Sequence, residues 1–172
     1  MTELPSDLLA LAKDVLVAAK AGGKHIVTAE SCTGGLIGGC LTAIPGSSDS
    51  FDGGLITYSD ESKVSLLGVP RDAIAENGAV SDIVAAAMAE GALAASGADI
   101  AISVTGIAGP DGGSKTKPVG LVYMALAQTS RDALVKRYVF AGTRTDVRRA
   151  AVGAALELLL GALRETVEPA AE

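Results

Sequence analysis

A short β-like run beginning at His25 passes through Thr28-Ala29-Glu30-Ser31-Cys32-Thr33-Gly34-Gly35 and straight into a small-residue stretch reaching Ala43. A strand that turns into a helix over paired glycines is the junction from which α/β proteins are built, and no other segment narrows the choice of fold as much. The junction also carries chemistry. A helix N-terminus leaves backbone N–H groups without intrahelical partners and bears partial positive charge, so an oxyanion or a phosphate is stabilised there. Ser31 and Cys32 stand beside it as candidate nucleophiles. An ordinary tight turn, with Gly34 and Gly35 serving only close packing of helix on sheet, is the other reading of the same residues.

The rest of the chain continues the alternation. Ser6 is expected to cap a helix over residues 7–20, halted by Gly22-Gly23. A second strand is expected over 54–58. Ser59 then caps a short helix with Asp60 and Glu61 in its first turn, and Pro70 opens another at its first position. Ser81 caps a helix to Ser96. Residues 99–105 read as a central strand and 106–120 as a glycine-rich loop. Strands over 121–127 and 134–140 are joined by a short polar connection, which predicts an antiparallel hairpin. A helix over 146–165, capped by Thr143 or Thr145, ends the pattern. With no linker and no repeat, the expectation is one α/β domain over residues 1–172, three-layered α/β/α around a mixed five-stranded sheet.

Composition excludes several functions. The chain has 172 residues, 49% hydrophobic and 20% charged, enough to bury a core. Aromatic residues make up 3% with no Trp, which argues against stacking on single-stranded nucleic acid. A net charge of −6 has the wrong sign for a nucleic-acid partner, although a local basic pocket can still hold a small anion. Cys32 and Cys40 lie along one expected helix, too far apart to bond, which fits a reducing compartment. No signal-peptide pattern and no uninterrupted apolar stretch long enough for a membrane is present, so a cytoplasmic protein without membrane contact is expected. The leucines of the last helix (Leu156, Leu158, Leu159, Leu160, Leu163) suggest either self-association, a dimer being favoured, or internal packing.

His25 is the only histidine, and no cysteine cluster replaces it, so no metal site is expected. Six residues of strand, about 20 Å, separate it from Ser31, which disfavours a Ser-His-Asp triad. A serine nucleophile then needs another base, and lysine is the usual one. Tyr58 ends the second strand and Lys63 sits in the first turn of the next helix, where open α/β sheets gather their ligands. A helix N-terminus lowers a lysine pKa and favours the neutral base. A solvated lysine beside a strand-end tyrosine is the commoner reading of those two residues taken alone. The loop Gly106-Ile107-Ala108-Gly109-Pro110-Asp111-Gly112-Gly113 matches neither phosphate-loop nor dinucleotide fingerprints, yet lets backbone approach a ligand closely. Arg144, Arg148 and Arg149 cluster where the last helix starts and could hold a phosphate. Cys32, its thiol acidified by the helix terminus, is an alternative nucleophile.

Taken together the motifs resemble those of the nicotinamide-nucleotide amidohydrolases, also found as the C-terminal domain of CinA competence/damage-inducible proteins. They are Thr28-Ala-Glu-Ser-Cys-Thr-Gly-Gly35, Pro45-Gly-Ser-Ser48, Gly54-Leu-Ile-Thr-Tyr-Ser-Asp-Glu-Ser-Lys63 and Asn77-Gly-Ala-Val-Ser81. They continue with Ser103-Val-Thr-Gly-Ile-Ala-Gly-Pro-Asp-Gly-Gly113, Lys117-Pro-Val-Gly120 and Phe140-Ala-Gly-Thr-Arg-Thr-Asp-Val-Arg148. The resemblance implies deamidation of nicotinamide mononucleotide to nicotinic acid mononucleotide and ammonia, with Ser31 as nucleophile assisted by Tyr58 and Lys63 and with no cofactor. Asp60 stands where the family often has Asn. The pyrophosphatase-type activity of longer CinA proteins is expected to be absent.

From that resemblance, a neutral Lys63 relayed through Tyr58 is expected to deprotonate Ser31. The N–H groups of Thr33, Gly34 and Gly35 are expected to hold the oxyanion, Arg144 and Arg148 the phosphate, and Ser48, Thr105 and Gly106 to line the pocket. A non-catalytic nucleotide-binding or regulatory module of the same fold is the alternative.

Overall fold

The computed structural model describes residues 4–129 and 131–165. Five strands form one mixed sheet in the order β2-β1-β3-β4-β5. The strands β1 (Ile26–Glu30), β2 (Phe51–Ile56) and β3 (Ile100–Gly106) are mutually parallel. The hairpin β4 (Leu121–Gln128) and β5 (Arg131–Val139) adds two antiparallel strands, with Leu121 opposite Val139. The expected hairpin and α/β class are therefore observed.

β1 is buried along its whole length and β3 from Ile100 to Thr105, so both sheet faces are covered. Ile26, Ile100, Ile102, Val104 and Met124 pack under α1 (Ser6–Ala21), α2 (Leu36–Thr42) and α6 (Arg144–Glu165). On the other face Val27, Ala29, Ala101 and Ala125 lie under α5 (Asp82–Ser96), joined by Leu67 of α3 (Asp60–Leu67). α4 (Arg71–Asn77) flanks α5. A core this poor in aromatics demands close backbone approach. A Cβ added at Gly91 of α5 would stand 1.9 Å from the Leu67 carbonyl oxygen. Leu156, Leu159 and Leu163 are buried within the chain's own core, so internal packing accounts for the apolar side of α6. Burying each contributes about 2 kcal/mol.

Local chemistry explains the element ends. Ser59 and Ser81 accept from the Ser62 and Val84 N–H groups as expected, and Thr143, rather than Thr145, caps α6. Ser6 lies inside α1 instead of capping it, and Pro70 precedes α4 instead of opening it. The second strand starts earlier than expected, at Phe51, and stops at Ile56, which leaves Tyr58 beyond it. α2 starts at Leu36, because residues 31–35 form a separate turn whose Gly34 and Gly35 take φ of +62° and +90°. That backbone region strongly favours glycine.

The chain leaves β1 for β2 on one side and returns to β3 on the other. This reversal opens a crevice at the carboxyl ends of the parallel strands. Ser31, Thr57 and the loop after Gly106 all converge on it. Among the described residues no helix is long and apolar enough to cross a membrane.

Candidate active site

Ser31 directly follows β1 and its N–H donates to the Val104 carbonyl at 2.9 Å, which extends the sheet by one rung. Beside it the Thr57 N–H donates to the Glu30 carbonyl at 2.8 Å. α3 begins three residues after Thr57, and helical side chains lean toward the N-terminus of their helix. The Lys63 stem accordingly runs back to the strand ends. Its Nζ lies 3.1 Å from Ser31 Oγ and donates to the Thr57 carbonyl at 2.9 Å.

Lys63 is 1% exposed and forms no ion pair among the described residues. Burial holds its pKa below the usual 10.5, partly offset by Asp60 and Cys32. With one N–H fixed on the Thr57 carbonyl, the deprotonated form of this amine has a lone pair within reach of the Ser31 hydroxyl. Among the described residues, two buried side-chain hydroxyls lack a partner, Thr33 and Thr57, and they flank this pair. Unsatisfied groups of this kind concentrate at functional sites.

Glu30, 1% exposed, sits beneath the turn. Its carboxylate accepts from the Gly35, Ile37 and Gly38 N–H groups at 3.0, 3.1 and 2.8 Å, and from the Thr28 hydroxyl at 3.3 Å. The positive end of α2 is therefore already neutralised by the protein itself. The Gly34 N–H turns back to the Ser31 carbonyl, which leaves the Cys32 and Thr33 N–H groups as the turn's donors without an oxygen partner among the described residues.

The start of α6 covers the turn. Arg148 donates to the Cys32 and Thr33 carbonyls at 3.1 and 3.0 Å. Arg144, one helical turn earlier, donates to the Gly109 carbonyl and to the Tyr58 hydroxyl, both at 2.9 Å. Neither arginine meets a carboxylate among the described residues, although the chain carries a net charge of −6. Two uncompensated guanidinium groups thus border the crevice.

The model for the CinA C-terminal domain matches residues 8–163. The chain belongs to the CinA C-terminal domain family. The nicotinamide-nucleotide amidohydrolase PncC of Escherichia coli strain K12 is 47% identical over 154 residues, which cover 90% of this chain and 93% of that protein. A putative competence-damage inducible protein of Moorella thermoacetica is 50% identical over 83% of this chain but only 34% of its own length. Among solved structures, the competence/damage inducible protein CihA from Agrobacterium tumefaciens superposes with a TM-score of 0.91 at 44% identity, covering 95% of this chain and 99% of that one.

Within this CinA-family chain the sequence-based site residues divide sharply. Ser31 and Lys63 meet directly, with no phenol between them, and the Tyr58 hydroxyl binds Arg144 instead. Gly34 and Gly35 give their N–H groups to Ser31 and Glu30, so of the three expected oxyanion donors only that of Thr33 is unengaged. Thr105 and Gly106 serve the scaffold. The Thr105 hydroxyl donates to the Ala79 carbonyl at 2.8 Å, and a Cβ at Gly106 would stand 2.8 Å from the Leu121 carbonyl oxygen. Ser48 is exposed in the one-turn 3-10 helix Ser47–Asp49 that precedes β2, at the amino ends of the parallel strands and so away from Ser31 at their carboxyl ends.

Cys32 is buried and its thiol is pushed up to about 11, chiefly by desolvation. The helix terminus expected to acidify it is occupied by Glu30. Sequence reasoning assigned Glu30 no role. A carboxylate immediately before a strand-to-helix turn, complementing the helix dipole, was the signal that identifies it.

Proposed function

We propose that the chain is a nicotinamide-nucleotide amidohydrolase that converts nicotinamide mononucleotide to nicotinic acid mononucleotide and ammonia in pyridine nucleotide salvage. The observation that carries this reading is the buried Lys63 amine held 3.1 Å from Ser31 Oγ. A module that only binds nucleotides has no use for a desolvated base against a hydroxyl. The activity named for the relative at 47% identity supplies the substrate class.

In this mechanism neutral Lys63 takes the Ser31 proton as Oγ forms a bond to the carboxamide carbon. The Cys32 and Thr33 N–H groups stabilise the oxyanion, and one such donor contributes about 3 kcal/mol to lowering the barrier. The C–N bond then breaks and Lys63 returns the proton to departing ammonia. Water, deprotonated by the same amine, then attacks the acyl carbon, the bond from that carbon to Ser31 Oγ breaks, and Lys63 returns the proton to Oγ as the nicotinic acid product leaves. Arg144 receives the phosphate.

Incubation with nicotinamide mononucleotide is the test. Ammonia and nicotinic acid mononucleotide are expected in equal amounts, and ligand-induced stabilisation without either product would refute the assignment.

Two further outcomes follow from the geometry. Only the neutral amine accepts a proton, so kcat/KM is expected to rise with pH through the pKa of Lys63, which burial sets below 10.5. A profile flat from pH 6 to 10 would remove Lys63 as base. Cys32→Ala is expected to retain turnover within about threefold, because a buried thiol shifted up to about 11 supplies almost no thiolate. Inactivation by iodoacetamide under native conditions would contradict this.

A further inference from the structure

We propose that the Arg144–Tyr58 hydrogen bond is a latch that the substrate's phosphate opens, so that the phosphate accelerates amide cleavage as well as tightening binding. The inference rests on the amidohydrolase reading above and assigns Tyr58 a direct contact with the substrate's carboxamide. Arg144 opens α6 and ties together the segment after β2, through the Tyr58 hydroxyl, and the loop after β3, through the Gly109 carbonyl. Both acceptors are neutral. By contrast Arg71 and Arg149 bind the carboxylates of Glu61 and Asp7. An anionic phosphate attracts a guanidinium through net charge and accepts two of its N–H groups at once, which a neutral phenol oxygen does not, so an arriving phosphate displaces the phenol.

Arg148 is unsuited to that response. Its guanidinium holds two carbonyls of the Ser31 turn, and withdrawing it would loosen the nucleophile. Tyr58 is well placed to carry the signal. It is 61% exposed and adjoins Thr57, whose carbonyl fixes Lys63. While Arg144 holds its hydroxyl, Tyr58 bonds neither Ser31 nor Lys63. Once released, the phenol is free to hydrogen-bond the carboxamide lying over Ser31 and orient it for attack. A substrate lacking phosphate leaves the latch shut, so discrimination is exerted on turnover and not only on affinity.

The test compares kcat and KM for nicotinamide mononucleotide and nicotinamide riboside in the wild type, Tyr58→Phe and Arg144→Gln. In the wild type the nucleotide's kcat is expected to exceed the nucleoside's by about tenfold or more. In Tyr58→Phe that kcat ratio is expected to collapse to within about twofold while the KM ratio persists. Arg144→Gln is expected to raise KM for the nucleotide and bring the two kcat values together. A static phosphate clamp leaves the kcat ratio of Tyr58→Phe at the wild-type value, and that result overturns the latch.

A second measurement is independent of turnover. The chain has three tyrosines and no Trp. Tyr138 is stacked on Phe140 and Tyr123 is half-buried, so a near-ultraviolet difference on adding ribose 5-phosphate reports Tyr58. The difference is expected in the wild type and absent in Tyr58→Phe. No spectral change in the wild type at ribose 5-phosphate concentrations that raise Tm, or no rise in Tm at all, overturns the proposal. Absence of ammonia release with the spectral change intact would sink the amidohydrolase reading alone.

Discussion

Lys63→Met is expected to abolish ammonia release and yet yield a more stable protein. Methionine matches the length of the lysine stem and fills its buried channel without an amine to desolvate. The loss of turnover should reach about 10⁴-fold or more, the scale seen when one member of a nucleophile–base unit is removed. Ser31→Ala should cost about as much, and the double variant scarcely more than either, because the two side chains act as one device. Nucleotide binding should survive in each.

On the stability side, a gain of about 1 kcal/mol near neutral pH is expected, reduced by the hydrogen bond that Thr57 loses. The sign with pH is fixed. The native pKa of Lys63 lies below its unfolded value, so between the two the unfolded chain binds more protons and wild-type stability rises with pH. The advantage of Lys63→Met should therefore shrink as pH climbs toward 10.5. Denaturant unfolding at several pH values measures this, and a growing advantage would exclude a buried, depressed amine.

Glu30→Ala is the substitution expected to cost the most stability. It strips the acceptor from three backbone N–H groups, those of Gly35, Ile37 and Gly38, at a residue only 1% exposed. Orphaning the buried Ile37 donor costs about 1–3 kcal/mol and the half-buried Gly35 and Gly38 donors less each, so a total loss of about 3 kcal/mol is expected. For a chain of this size that lowers Tm by about 6–12 °C. Glu30→Gln keeps one acceptor oxygen and should fall between the two. Because residues 31–35 hang on this carboxylate, kcat should drop in the surviving folded fraction as well. A Tm within 2 °C of wild type would show that water caps α2 equally well.

Elements with strong local signals were readable before any coordinates. Ser59, Ser81 and Thr143 cap helices by side-chain chemistry within three residues, and the β4–β5 hairpin follows from its short polar connection. What escaped was set by contacts between distant segments. Ser48 and Ser31 both stand in motifs of the family, but only the direction of β2 reveals that they lie at opposite ends of the parallel strands. Tyr58 was expected to stand between Ser31 and Lys63, because sequence does not tell how far a lysine stem reaches. The same limit hid Glu30, whose partners become neighbours only once the turn has closed.

The grip of Arg148 on the Cys32 and Thr33 carbonyls spans more than a hundred residues of chain. During synthesis the β1–α2 junction is made first, whereas the guanidinium that steadies it emerges more than a hundred residues later. Until α6 has docked, the Cys32 and Thr33 carbonyls lack the donor that ties this turn to the rest of the fold.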